Sequence, residues 1–130
     1  MGVYNLSVKG SAQQMTEEIK AKIAKKRAQV VLALQRQITI LTPRDTGRGA
    51  NSYFISQGAP SDEIIPVGVY PSISMPPPSF SLNTVPLETP IYVTNNVYYL
   101  VYVNDGTKSI SPRHFAEKSI TVINNSLLRG

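Results

Sequence analysis

Residues 42–58 read TPRDTGRGANSYFISQG, and the reading of this stretch decides the fold. Pro43 stops any helix that precedes it, because the residue before a proline is driven out of the helical region. Asp45 is placed to close an Asx-type turn, and Gly47 and Gly49 permit positive φ. Asn51 to Gln57 then reads as a strand with Tyr53 and Ile55 on one side. A helix thus feeds a tight turn and then a sheet.

Upstream, Ser11 and Gln14 have the spacing of a capping box, and a helical pattern runs over 12–41. At about 100° per residue, Ile19, Ile23, Val30, Val31, Leu34, Ile38 and Leu41 share one arc, with Lys22, Lys25, Gln29 and Arg36 roughly opposite. The pattern predicts one amphipathic helix of up to about 45 Å. Leu32 and Ile40 interrupt its polar face. The run KAKIAKKR, 20–27, reads as a solvated polar face. No aromatic interleaves its bases and no zinc-finger or helix-turn-helix pattern accompanies it. Lys22, Lys25, Lys26 and Arg36 form the candidate basic face.

Downstream, 58–90 carries eight of the ten prolines, including the triplet Pro76, Pro77 and Pro78. That density bars a central strand and stiffens the chain towards an extended path. Ile64 to Tyr70 is a candidate edge strand. The apolar content of this arm is too high for an inert linker, so it is expected to order against another subunit, the alternative being a mobile loop. PIYVTNN, 90–96, is a strand ended by an Asn-Asn turn, and 97–104 reads equally as strand or short helix. On the helical reading Tyr99, Tyr102 and Val103 share a face and Gly106 is the C-cap. Ser111 and Pro112 look like an N-cap and N1 pair opening a last helix over 112–127, with Ala116, Ile120, Ile123 and Leu127 as its stripe. Tyr70, Met75, Phe80, Tyr98, Tyr99 and Tyr102 are candidate subunit-interface residues, since tyrosines can anchor a contact with one end wet.

The predicted class is α+β: a long N-terminal helix packed on a small, mostly antiparallel sheet, with a C-terminal helix and a long proline-rich arm. A chain of 130 residues fits one domain, 1–130. The chain has no Cys and one His, which excludes disulfide frameworks, thiol catalysis, thiolate zinc sites and multi-histidine metal centres. No stretch has signal-peptide or membrane-span character, so a soluble protein made in a cytoplasm and free of membranes is expected. Charged residues are only 16%, while Ser, Thr, Asn and Gln number 36, a balance that suits a surface covered by neighbours. The net +5 divides unevenly: +6 over 1–48, −4 over 49–107 where no base occurs, and +3 from 108 onward. Subunits built this way can pack with opposite charges facing.

No active site emerges. Asp45, Thr46 and Gly47 spell the DTG of aspartic proteases, but Arg44 and Arg48 flank the Asp and would hold it ionised, where that dyad must share a proton. His114 is the sole general-base candidate near neutral pH, and a triad through Asp105 has no nucleophile elbow behind it. GRGAN lacks the Lys and spacing of a P-loop. No cofactor, metal or catalytic residue is expected.

The order of a long helix, TPRDTGRGANSY, IYVTNNVYYLVYVNDGTK and SPRHFAEKSI resembles the neck or tail-completion proteins of tailed bacteriophages, the minor-tail-protein-Z-like family. Pro43, Asp45, Thr46, Gly47, Arg48, Asn51 and Tyr53 match its first motif, a structural turn. Thr94, Asn95, Asn96, Tyr98, Tyr99, Asp105, Gly106 and Thr107 match its second. The likeness spans roughly 15–58 and 90–123, about 60% of the chain. Tyr53 stands where family members often carry Trp, and Asp105 where they carry Glu. The arm over 58–90 matches nothing in the family. The resemblance implies an α+β virion protein forming a ring, a hexamer or alternatively a dodecamer, at the head–tail interface. Such a ring joins the head connector or stopper to the tail terminator or tail tube, and lets DNA pass its lumen without sequence-specific binding. A tail terminator is the near alternative. A small basic nucleic-acid-binding protein is the alternative from another class.

Overall fold

Thr16 begins the first helix. Its hydroxyl accepts from the Ile19 amide at 3.3 Å, and Glu17 and Glu18 follow in the first turn, where the positive end of the helix favours acids. The computed structural model describes residues 16–109 and 111–125, and all that follows concerns these. The expected Ser11–Gln14 cap and Leu127 lie outside them; the cap in place is Thr16. Helix α1, Glu17–Leu41, has 25 residues and is about 37 Å long. It ends as predicted before Pro43, with the Thr42 amide and hydroxyl both donating to the Ile38 carbonyl.

Strand β1, Tyr53–Gln57, pairs antiparallel with β2, Ile91–Asn95, in the register Tyr53↔Asn95 to Gln57↔Ile91. The strand predicted from Asn51 starts two residues later, because Asn51 and Ser52 complete the preceding turn: the Asn51 amide donates to Gly47 and the Ser52 amide to Gly49. A two-stranded sheet alone is marginal in water, so its stability comes from α1, which lies against it. Val31 and Ala28 pack with Ile55, Ile91, Leu82 and Val85, and Ile38 packs with Tyr53, Val97, Leu100 and Phe115.

The arm connects β1 to β2. Its ends are tied where the Gly58 amide donates to the Pro90 carbonyl at 2.9 Å, and it holds one short 3₁₀ turn, Leu82–Thr84. The edge strand expected at Ile64–Tyr70 does not form. Its backbone bonds to the turn before β1 instead of to a ladder: Arg48 Nε donates to the Ile65 carbonyl and the Tyr70 amide donates to the Thr46 carbonyl.

The undecided stretch is helical. Helix α2, Leu100–Asp105, ends at Gly106, whose φ of 84° makes it the predicted C-cap. Tyr99 and Val103 pack on the core, while Tyr102 is 54% exposed and does not share their face.

Helix α3, Phe115–Ile123, begins three residues later than the Ser111–Pro112 pair predicted. The Arg113 and His114 amides donate to the Val103 and Asn104 carbonyls, which draws this segment onto the end of α2. His114 then turns with φ 50°, and the buried Asn104 accepts from the Ala116 amide at 3.0 Å. A side chain from α2 thus does the capping expected of Ser111. The later start rotates the packed face: Phe115, Ser119 and Ile123 are buried, and Ile120 is 43% exposed.

Candidate functional site

The sharpest geometry surrounds the turn between α1 and β1. Asp45 was expected to close it with an Asx-type bond. Thr46 closes it instead, its hydroxyl accepting from the Arg48 amide at 3.3 Å. Arg48 points its guanidinium away to Ile65, and Asp45 is exposed, with no ion pair among the described residues. Gly47, with φ 85°, is where the arm comes closest: a Cβ there would fall on the Tyr70 carbonyl oxygen. Ser52 Oγ donates to the Arg48 carbonyl, and Asn95 Nδ2 donates to the Gly49 carbonyl at 2.8 Å while its Oδ1 takes the Val97 amide. The two motif segments, far apart in sequence, therefore meet at one spot.

From this turn onward much of the arm is tied to its own chain by side-chain hydrogen bonds. Asn96 Nδ2 donates to the Ser61 and Glu63 carbonyls, and Arg44 to Pro71 at 2.7 Å. Asn51 clamps the next residues, donating to the Ser72 carbonyl and accepting from the Ser74 amide. Gln35, from α1, donates to the Tyr53 and Pro76 carbonyls at 3.0 and 2.7 Å, so helix, strand and arm share one amide. These are side-chain bonds to a backbone that cannot build a ladder of its own.

Arg27 anchors the end of the arm. Only 4% exposed, its guanidinium donates to four carbonyls, Val85 at 2.8 Å, Thr89 at 3.0 Å, Pro86 at 3.2 Å and Leu87 at 3.3 Å. Burial pulls its pKa below the ordinary value, with the charge of Glu88 acting the other way. The run 20–27 was expected to be a solvated polar face and is one only in part. Lys22 and Lys25 are exposed and Lys26 is half-buried, but Arg27 is core. The signal was present: at about 100° per residue Arg27 falls between Leu34 and Val31, in the middle of the apolar arc. Arg36 is exposed, and Ile19, placed on that arc by its spacing, is 47% exposed.

Of the candidate interface residues, Tyr98, Tyr102 and Met75 are exposed, at 77%, 54% and 37%. Phe80 and Tyr99 pack on the chain's own core, and Tyr70 is half-buried with its hydroxyl donating to Pro66. Tyr98 and Tyr99 meet edge to face at 5.7 Å. The arm also exposes Val67 and Val69, at 84% and 76%, with Ile64 and Ile73.

Among the described residues, clefts open at the start of α1 and beside the turn. One of about 700 Å³ lies between the start of α1 and 83–88, lined by Lys20, Ala24, Val85 and Glu88 among others. The other, about 320 Å³, lies beside the turn and is lined by Arg44, Asp45, Tyr99, Leu100 and Arg113. His114 sits at neither, and its Nδ1 lies 3.0 Å from Glu117 Oε2. Glu117 is held below the usual carboxylate range, chiefly by the Asn104 amide and also by His114. Among the described residues no three His, Asp or Glu side chains are grouped to hold a metal, and no helix is long and apolar enough to cross a membrane. Comparison with protein-family models, curated proteins and solved structures returns no match.

Proposed function

We propose that this chain is a non-enzymatic structural virion protein of a tailed bacteriophage, one subunit of a neck or tail-completion ring. Made in the host cytoplasm, it resides in the virion between connector and tail tube. The observation that carries this reading is that four of the residues on which the resemblance rests, drawn from both of its motifs, converge. Thr46, Gly47, Asn51 and Asn95 all make bonds or close approaches around the single turn between α1 and β1. A motif set that builds one scaffold point is what a shared fold requires, whereas scattered coincidences would have no reason to touch. Exposed apolar side chains support the reading from another side. Val67, Val69 and Tyr98 are each more than three quarters exposed, and large apolar exposure marks surfaces that partners cover.

Stage-specific complementation tests the role. Purified chain added to extracts lacking it restores infectious particles when heads and finished tails are both present. Restoration only when added before tails stop growing would assign the terminator role instead.

A further inference from the structure

The arm and α1 present two surfaces of complementary chemistry. On α1, Lys22, Lys25, Gln29, Leu32, Arg36 and Ile40 follow one another at intervals of three or four residues and form an outer stripe, all of them exposed. At about 100° per residue this stripe is centred opposite Arg27. Leu32 and Ile40 on it are 45% and 51% exposed. Lys22 has only a surface pair with Glu18 at 3.7 Å, the kind worth little in water. The arm carries the converse chemistry. Asp62, Glu63 and Glu88 are its only charges, and Ile64, Val67, Val69, Ile73 and Met75 are exposed along it. Arg27 and Gln35, both buried and off the stripe, hold the later part of the arm, Pro76 and 85–89.

We propose that the outer face of the arm of one copy docks on the outer stripe of α1 of a second copy. Asp62 and Glu63 then face Lys22 and Lys25, and the arm's aliphatic side chains cover Leu32 and Ile40. The contact is heterologous, arm to helix, and so closes into a ring if the rotation closes. It rests on the ring proposed above and names the surface through which that ring forms. A second copy fits this stripe better than DNA does. Leu32 and Ile40 offer nothing to a phosphate backbone, no aromatic stands beside the cations, and the arm needs a partner that is both apolar and basic. Because the arm is already pinned, docking costs little further ordering of its backbone.

The test uses full-length chain at millimolar concentration with Val67 replaced by a photo-cross-linking amino acid, as an equal mixture of isotopically heavy and light copies. Heavy–light cross-links into the peptide spanning Lys22–Ile40 are expected. The double change Lys22→Glu with Lys25→Glu should lower that capture at least tenfold. Mixing this variant with Asp62→Lys, Glu63→Lys chains that carry the cross-linker should restore it. Capture confined to one copy, capture on α2 instead, or no capture overturns the proposal. So does a lysine double variant that loses retention on DNA at low salt while its capture is unchanged. If particles lacking the chain have unjoined heads and tails but the cross-links fail, this interface is wrong and the neck role stands. If heads and tails join normally without the chain, the neck role itself fails.

Discussion

A buried guanidinium with no carboxylate bonded to it keeps its place chiefly by its other hydrogen bonds, and Arg27 places both terminal nitrogens on the carbonyls of Val85, Pro86, Leu87 and Thr89. Arg27→Ala orphans those carbonyls, and should cost about 3 kcal/mol in urea unfolding while speeding amide exchange in the chain around 85–89. Arg27→Lys should not restore the loss, since one ammonium cannot span four acceptors held by a planar fork. Gly47 carries a different constraint. Gly47→Ala meets both a positive φ and the Tyr70 carbonyl, and should destabilise by clearly more than about 1 kcal/mol. Gly58→Ala has a similar φ of 80° with open space around it, and should cost only about 1 kcal/mol. Equal effects in the two variants would mean that the close approach to Tyr70 is immaterial. Tyr53 supplies a pH test. Burial pushes its phenol up to about 12 despite the hydrogen bond with Thr42 at 2.6 Å. A pKa raised on folding gives stability that is whole below the unfolded value near 10 and is lost as pH rises towards 12. The loss should reach about 3 kcal/mol in denaturation curves taken across that window, and Tyr53→Phe should flatten it.

The elements that periodicity alone specifies were legible in sequence: α1 ends where Pro43 ends it, Tyr53 and Ile55 point into the core together, and Gly106 caps α2. What was not legible depends on bonds between distant segments. The turn could be expected from Asp45, but the acceptor in place is Thr46, because Arg48 is drawn off to Ile65, a residue of the arm. The start of α3 moved from Ser111 to Phe115 because Asn104, on another helix, supplies the cap. Local capping rules cannot see an acceptor so far along the chain. Asn104→Ala should therefore cost about 1–2 kcal/mol and loosen α3 in particular, read by amide exchange. Glu117 is linked to the same amide at 2.9 Å, and its lowered pKa means that its stabilising bond is present above the ordinary carboxylate range and fades as pH falls. The penalty of Asn104→Ala should accordingly shrink in acid. A penalty constant with pH would remove Glu117 from this network.

Across the whole molecule, the low charge and the division of sign acquire a physical cause. Uncharged amides do much of the structural work: Gln35, Asn51, Asn95 and Asn96 tie a proline-rich arm that has no ladder of its own. Of the bases outside this scaffold, Lys22, Lys25 and Arg36 lie on the outer side of α1, and the acids of the middle third lie on the arm and on α2. On the proposed reading such a chain meets neighbours along two separate faces, and its assembly is a ring at the junction of head and tail. Electron microscopy of particles assembled without this chain tests that claim most directly. The account predicts filled heads and complete tails lying apart, rejoined when the chain is supplied, and normally joined particles in its absence would contradict it.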